Sequence, residues 1–328
     1  MPEALNRDFS SHYQRQFSDI YITMIRTGII EGAGFTGGEL IRLLLNHPDV
    51  HLIFITGRGN SGQYIHEVHR GLYGETDLQF AEEPELDKID LLFLCTDAEE
   101  SRQFMQSHEI PERLKIIDFS REFRLKSEGD EFIYGLPELN RRAICKSRFV
   151  ANPGNFATCI TLGLLPLAKN LMLGDDIYVH AIIGSTGTGH KASSMTHFSW
   201  RNNNVSIYKP FTHQHLPEIR ESLLQLQSSF RSDIHFIPYR GNFTRGIFCT
   251  IMVKNKVALE ELNQLYIDYY AEERPTIIKP TKTNVPLKTG GTTTKAEFLV
   301  CLWQSIANTP MPASKKPMDC IGKNIAFN

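Results

Sequence analysis

Residues 25–45 read "IRTGIIEGAGFTGGELIRLLL", and this stretch decides the fold. Its first six residues are rich in β-branched side chains and predict a strand. Glycines follow, and the leucines and isoleucine at positions 40, 41, 43, 44 and 45 then predict a helix. A strand that passes through a glycine-rich turn into a helix predicts the first unit of a parallel α/β sheet.

Three more predicted strands extend that sheet: "HLIFIT" (51–56), "IDLLFLCT" (89–96) and "LKIIDFS" (114–120). Because helical stretches separate them, the expected fold class is α/β, with a doubly wound parallel sheet. After residue 150 the pattern changes to that of an α+β domain. Its predicted elements are a strand running into a glycine-rich loop (175–189), helices at 217–230 and 259–273, and two strands paired with each other (233–241 and 246–255).

Composition excludes several classes of protein. With 35 basic and 37 acidic residues the net charge is −2, so neither nucleic acid nor an anionic membrane is an expected partner. No apolar run approaches the roughly 20 residues of a transmembrane helix, and residues 1–23 lack the apolar core of a signal peptide. The expected location is the cytoplasm. The six cysteines form no C-x-x-C pair and no H-E-x-x-H motif occurs, so neither a disulfide framework nor a metal is expected.

The glycines at 32–37 match G-x-G-x-x-G between a strand and a helix, which predicts dinucleotide binding. Gly32 permits the turn, Gly34 lets the backbone approach a pyrophosphate beside Phe35 and Thr36, and Gly37 lets helix and strand pack closely. By itself the motif is weak, and a plain glycine-rich turn is the alternative.

The end of the second strand indicates which nicotinamide cofactor is bound. An NAD enzyme usually has Asp or Glu there, whereas this chain has Thr56, Gly57 and Arg58, with Ser61 shortly after. A guanidinium suits a 2′-phosphate, so the prediction is NADP. The alternative is a solvated loop arginine.

The second domain offers further polar candidates, each with a structural alternative. His213 and His215 precede the helix at 217–230 and are candidates for a general base or for buried structural histidines. Arg240 and Arg245 are candidates for an anion clamp or for surface ion pairs. The loop "GSTGTGHKA" (184–192) is predicted to offer Ser185, Thr186, Thr188 and several N–H groups to a phosphate, or to be a plain turn.

Several stretches, in one order along the chain, carry a resemblance to a known family. They include "GAGFTGGELIRLLLNHPDV" (32–50), "IIDFSREFRL" (116–125), "YGLPELNRR" (134–142), "ANPGNFATCITLGLLPLAKN" (151–170), "YKPFTHQHLPEI" (208–219) and "IPYRGNFTRGIF" (237–248). From about Met24 to about residue 270 the chain resembles the N-acyl-γ-glutamyl-phosphate reductases of arginine biosynthesis, relatives of aspartate-semialdehyde dehydrogenase. The acyl group, acetyl or succinyl, is left open.

The resemblance implies an NADPH-dependent, two-step reduction of an acyl phosphate to a semialdehyde. A cysteine thiolate displaces phosphate and forms a thioester, which hydride then reduces. The resemblance places that cysteine at position 155, the family's histidine at His215 and its substrate-binding arginine at Arg245. It also implies a Rossmann-type NADP-binding domain (24–151), an α+β catalytic and dimerisation domain (152–290), and assembly as a homodimer or homotetramer.

Position 155 departs from the family, because it is Asn155. A carboxamide is not ionised at ordinary pH and is a poor nucleophile, so no thioester forms there. Cys159 lies one helical turn further on and is expected to be buried.

Other departures lie elsewhere in the chain. Asp97, Glu99 and Glu100 put negative charge where the family has a small neutral loop beside the cofactor. Residues 291–328 diverge from the family's closing helix, with three prolines that no uninterrupted helix accommodates. Residues 1–23 are expected to be a disordered extension.

Two functions therefore remain open from the sequence. The first is an NADPH-dependent reductase with His215 as acid or base. The second is a catalytically impaired relative that binds NADP or pairs with an active subunit.

Overall fold

The computed structural model describes residues 24–127, 131–189 and 193–271, and three short strands at 276–278, 296–299 and 321–325. The predicted extension at 1–23 lies outside the described residues, as does most of the divergent segment at 291–328. Within the described ranges no helix has the length and apolar composition that crossing a membrane requires.

The first domain is built on a six-stranded sheet with the order β2-β1-β3-β4-β6-β5, in which every pair is parallel. Its strands are β1 (Ile25–Ile30), β2 (Val50–Ile55), β3 (Leu91–Leu94), β4 (Lys115–Asp118), β5 (Ile133–Tyr134) and β6 (Phe149–Ala151). Its helices are α1 (Phe35–Leu45), α2 (Ile65–Val68), α3 (Ala98–Ser107) and α4 (Pro137–Lys146), with 3₁₀ turns at Arg70–Leu72 and Leu86–Lys88. The predicted α/β class is confirmed.

The strand order reverses between β1 and β3, and this topological switch point is where open α/β sheets bind ligands. Helix α1 packs on the sheet through Leu40, Ile41 and Leu44, the apolar positions that predicted the helix. The close approach depends on Gly37, where a Cβ would lie 2.3 Å from the carbonyl oxygen of Gly32.

The second domain is built on a seven-stranded mixed sheet with the order β11-β12-β13-β10-β7-β9-β8. Its strands are β7 (Ile177–Ile183), β8 (Ser206–Ile207), β9 (Ile234–Arg240), β10 (Ile247–Met252), β11 (Thr276–Ile278), β12 (Ala296–Leu299) and β13 (Ile321–Ile325). Its helices are α5 (Asn155–Lys169), α6 (Phe198–Arg201), α7 (Leu216–Leu226) and α8 (Leu259–Tyr269), with a 3₁₀ turn at Ser185–Thr188.

One predicted pairing is wrong. The strands foreseen at 233–241 and 246–255 exist as β9 and β10, but β7 lies between them, parallel to β9 and antiparallel to β10. The connection between β9 and β10 therefore passes over the end of β7. Gly184 makes room for it, since a Cβ there would lie 2.6 Å from the carbonyl oxygen of Thr244.

Helix α5 is the centre of the second domain's core. Every residue from Phe156 to Ala168 is buried, because one side of the helix packs on the sheet and another on α7 and α8. Such complete burial fixes the helix in place, and with it the first residue of the helix, Asn155.

Candidate active site

A single cavity of about 1270 Å³ joins the two domains at the switch point. The glycine loop after β1 lines it, as do the segments that follow β3 and β4. From the second domain, Asn155, the loop after β7 and the segment 244–247 complete the lining. The carboxyl ends of three parallel strands thus face the N-terminus of α5 across one space.

Asn155 occupies the first position of α5, after Gly154 as the N-cap. Its side-chain Oδ1 accepts a hydrogen bond from the Phe156 N–H at 2.7 Å. A helix N-terminus favours negative charge, so a thiolate here would be stabilised. The carboxamide oxygen instead satisfies one of the N–H groups of the first turn.

A buried carboxylate holds this helix end. Glu218, on the first turn of α7, accepts a hydrogen bond from the Gly154 N–H at 3.0 Å and from the Tyr134 hydroxyl at 3.2 Å. The guanidinium of Arg124 donates to it at 3.4 Å and also to the Phe119 carbonyl at 2.8 Å. Burial raises the pKa of Glu218, while Arg124 and the hydrogen bond from Gly154 act in the opposite direction.

Position 154 has no room for a side chain. A Cβ there would lie 2.5 Å from His215 Nε2 and 2.8 Å from Arg124 Nη1. The glycine of the N-P-G turn is thus required by packing, and it brings His215 against the backbone just before Asn155.

His215 and His213 are both buried, but their surroundings differ. His215 Nε2 lies 3.9 Å from Glu218 Oε1, and its Nδ1 has no hydrogen-bond partner among the described residues. Burial lowers the pKa of His215 to about 2, so the ring is neutral.

His213 Nδ1 accepts a hydrogen bond from the backbone N–H of His215 at 3.2 Å, and its ring packs edge-on against Phe156 and Phe236. Burial lowers the pKa of His213 to about 4. His213 therefore holds the backbone of His215 and packs edge-on against its ring, with 4.7 Å between the ring centroids. Neither histidine is among the residues that line the cavity.

Two cysteines lie near position 155 or in the cavity lining, and neither is exposed. Cys159 is fully buried in α5, as expected. Cys95 lines the cavity, but burial raises its pKa to about 12 and keeps the thiol protonated.

The loop after β7 lines the cavity but does not offer the predicted N–H groups. Those of Ser185 and Thr186 donate to the carbonyls of Phe243 and Thr244, and that of Gly187 donates to Gly184. The Thr186 hydroxyl also donates to Thr244. These three N–H groups are used within the protein, two of them to bind the chain that crosses over β7. That Ser185 and Thr186 bind a phosphate stays a prediction.

The two candidate arginines lie in different places. Arg245 lines the cavity and forms an ion pair with Glu39 of α1, across the domain boundary. Arg240 instead stacks on the Tyr208 ring at 3.9 Å, next to Arg201. Three buried guanidinium nitrogens of this arginine pair have no hydrogen-bond partner in the described part of the chain: Arg240 Nε and Nη1, and Arg201 Nη1.

Comparison with known proteins identifies the scaffold. Residues 26–147 match the family model "Semialdehyde dehydrogenase, NAD binding domain", and residues 156–303 match "Semialdehyde dehydrogenase, dimerisation domain". The N-acetyl-gamma-glutamyl-phosphate reductase of Phocaeicola vulgatus is 62% identical over 265 residues, which are 81% of this chain and 82% of the relative. That of Bacteroides thetaiotaomicron is 60% identical with the same coverage.

The chain belongs to the N-acetyl-gamma-glutamyl-phosphate reductase family. The resemblance inferred from the sequence motifs is confirmed. Solved structures agree on the fold: aspartate semialdehyde dehydrogenase II from Vibrio cholerae superposes with a TM-score of 0.66 at 12% identity, covering 92% of this chain and 93% of that one. The Candida albicans aspartate semialdehyde dehydrogenase with NADP also gives 0.66, at 13% identity over 93% and 94%.

The reductase family's cofactor loop fits a dinucleotide in this chain. Gly34, Phe35, Thr36 and Gly37 line the cavity, and a Cβ on Gly34 would meet nothing within 4 Å, so its backbone faces open space. Gly32 lies behind them and supports the turn, donating its N–H to the Thr56 carbonyl.

Two predicted cofactor residues lie further out. Arg58 and Ser61 are exposed in the loop after β2, and neither is among the residues that line the cavity. Arg58 donates to Glu100 at the start of α3.

Sequence reasoning missed Glu218, Arg124 and Tyr134, although all three stand inside the motifs that carried the family resemblance. From sequence, an acidic residue in the first turn of a helix is expected to be exposed and to stabilise the helix dipole. Its burial follows only from Arg124 and Tyr134, which lie 94 and 84 residues away in the first domain.

Replacing Glu218 tests how much this helix end depends on the buried carboxylate. Glu218→Ala leaves Arg124 buried without its carboxylate and the Gly154 N–H without an acceptor, so we expect a loss of about 3–5 kcal/mol in unfolding free energy. Urea denaturation followed by circular dichroism measures it. Glu221→Ala, three residues along the same helix, is the control and is expected to cost less than about 1 kcal/mol. Equal losses in the two variants would contradict the role of Glu218.

Proposed function

We propose that this chain binds NADP(H) together with an N-acyl-γ-glutamyl phosphate or the corresponding semialdehyde, as a member of the reductase scaffold whose turnover Asn155 restricts. The observation that carries the proposal is the shared cavity, in which the cofactor loop, Asn155 and Arg245 face one space. The family's reaction transfers a hydride from a nicotinamide to an acyl group. The two groups must therefore lie side by side, and a cavity shared by both domains allows this.

Gly34, Phe35, Thr36 and Gly37 are the residues proposed to hold the cofactor's pyrophosphate, and Arg58 with Ser61 its adenosine end. A bound NADPH supplies a hydride. The backbone at Gly34 gives the close approach that a pyrophosphate needs, and the N-terminus of α1 behind it favours negative charge.

His215 is proposed to hold or accept the proton at the acyl end of the cavity. The ring is neutral, packs edge-on against His213, and lies against Gly154. A neutral imidazole beside the position of the family's thiol is suited to remove the thiol proton. In this chain position 155 carries a carboxamide, which has no such proton to lose at ordinary pH.

A second candidate function follows from Asn155 itself. The carboxamide caps α5 and leaves the surrounding network intact, so binding is preserved while the covalent step is lost. A cofactor-binding subunit that pairs with an active reductase would have these properties.

Restoring the thiol tests the proposal. In the reverse direction, N-acetyl-glutamate semialdehyde, phosphate and NADP⁺ give the acyl phosphate and NADPH, which is followed by absorbance. We expect Asn155→Cys to exceed the parent by about 10²–10³ in rate, because losing a covalent nucleophile typically costs several orders of magnitude.

Asn155→Ser is the matched control for that assay. It keeps a small side chain at the helix start without a thiol, and we expect it to be no faster than the parent. A parent rate equal to that of Asn155→Cys would show that Asn155 does not restrict turnover. A rate equal in all three proteins would favour a route that bypasses position 155.

Arg245 and Arg240 are proposed to bind anionic groups of the substrate. Arg245 reaches the cavity and would exchange Glu39 for a substrate oxyanion. Arg240 and Arg201 present buried N–H groups without partners, which an entering carboxylate would satisfy.

Titration with N-acetyl-L-glutamate, which carries two carboxylates, tests both arginines by calorimetry. We expect Arg245→Gln and Arg240→Gln each to weaken binding about tenfold, the effect of one charge-assisted hydrogen bond. Arg231→Gln, an exposed arginine that bonds only to nearby carbonyls, is the control and should leave binding unchanged. Unchanged binding in either test variant would remove that arginine from the substrate site.

The sheet of the second domain has a partly exposed face that suits a second copy of the chain. Along β7, β9 and β10, side chains alternate between the buried core and this open sheet face. The open sheet face comprises Tyr178, His180, Ile182, His235, Ile237, Tyr239, Phe248, Thr250 and Met252. Its apolar character and the match to a dimerisation domain support a homo-oligomer formed through it.

A charge on the open sheet face tests this interface. Tyr178, half exposed on β7, is expected to be buried between copies, so Tyr178→Asp should shift the protein from a dimer or tetramer to the 37.4 kDa chain. Sedimentation velocity measures the mass. Tyr73→Asp, on the exposed surface of the first domain, is the control. An oligomer that survives Tyr178→Asp would place the interface elsewhere.

A further inference from the structure

The segment after β2 lies where a dinucleotide's adenosine ribose is read. The backbone of Thr56 is hydrogen-bonded to both β1 and the glycine loop. Its carbonyl accepts from the Gly32 N–H at 2.7 Å, and its N–H donates to the Ile29 carbonyl at 2.8 Å. In this fold an acid at that point accepts the ribose hydroxyls, whereas an arginine takes the 2′-phosphate. The residue here is Arg58, two positions after Thr56.

Arg58 is already engaged by carboxylates. Its Nη1 donates to Glu100 Oε1 at 2.9 Å, and its backbone N–H donates to Glu31 Oε2 at 3.3 Å. The hydrogen bond and charge of Glu100, then the charges of Glu31 and Asp97, raise the pKa of Arg58. One carboxylate thus pairs with the guanidinium, a second binds the backbone of the same residue, and the local charge is negative.

Glu31 is held at this place by the backbone of the glycine loop. Its φ is +59°, in the left-handed region that favours glycine. The residue directly precedes Gly32, so its carboxylate is carried by the turn that approaches the cofactor. From there it reaches across to the end of β2, to the amide of Arg58.

We propose that Glu100 and Glu31 are specificity-determining residues that compete with the 2′-phosphate of NADP(H) for Arg58. This inference rests on the proposed function, which places the nucleotide in this cavity. A 2′-phosphate carries up to two negative charges, so it must displace Glu100 from the guanidinium and lie close to Glu31. A ribose with a free 2′-hydroxyl has donors for both carboxylates and leaves the Arg58–Glu100 pair intact.

The two carboxylates therefore weaken NADPH binding while NADH is unaffected. The competition is local, because the guanidinium and Glu100 are both partly solvated and more distant charges are screened. Glu99 serves as the control that distinguishes this local competition from a general effect of negative charge near the cavity. It lines the cavity one residue from Glu100, and no hydrogen bond or ion pair to Arg58 is found for it among the described residues.

The experiment measures dissociation constants of NADPH and NADH for the full chain by titrating reduced-nucleotide fluorescence at physiological ionic strength, where more distant charges are screened. We expect Glu100→Gln and Glu31→Gln each to tighten NADPH about fivefold and to leave NADH within a factor of about two, the scale of one exposed ion pair. Glu99→Gln, with the same change of charge, should alter both nucleotides equally. Arg58→Gln should weaken the binding of NADPH and not that of NADH. In this background, adding Glu100→Gln should have no further effect on NADPH binding.

Each outcome decides the point. Equal tightening of NADH and NADPH in Glu100→Gln would overturn the proposal, because a general field would then explain the effect. If both glutamate variants bind NADPH and NADH with the parent's ratio of dissociation constants, the inference is overturned and the proposed function is left intact. Failure of the parent and of all variants to bind either nucleotide would overturn the proposed function and this inference together.

Discussion

The structure depends most on the buried carboxylate of Glu218. It fixes the N-terminus of α5 through the Gly154 N–H and draws Arg124 and Tyr134 of the first domain onto the same point. A buried charge is tolerated only when it is paired and hydrogen-bonded, so all these partners must be in place at once. One interaction therefore sets the start of the central helix and the relation of that helix to the cofactor domain.

Position 155 takes its place in the structure from this network. The N-terminus of α5 favours negative charge there, and Gly154 leaves room for the neutral ring of His215 against the preceding backbone. Asn155 satisfies the local hydrogen-bonding demand because its oxygen accepts from the Phe156 N–H. The first turn of α5 therefore keeps its hydrogen bonding with a carboxamide at position 155.

At the other end of the cavity, negatively charged side chains lie where an anionic dinucleotide is expected to bind. Glycines give the backbone room that a pyrophosphate needs, yet Asp97 and Glu99 line the same space and Glu100 engages Arg58. Asn155 and the carboxylates of Asp97 and Glu99 thus line one cavity, from opposite domains. None of these side chains belongs to a hydrophobic core, so the fold does not depend on their charge.

The sequence by itself determined the α/β class, the strand–glycine–helix unit at 25–45 and the family, since periodicity and motif order are local signals. Tertiary structure alone decided that β7 separates β9 from β10, and that the loop after β7 uses its own N–H groups. It also decided that Glu218 is buried. Each of these depends on contacts between residues far apart in the chain, and no local pattern of side chains encodes such contacts.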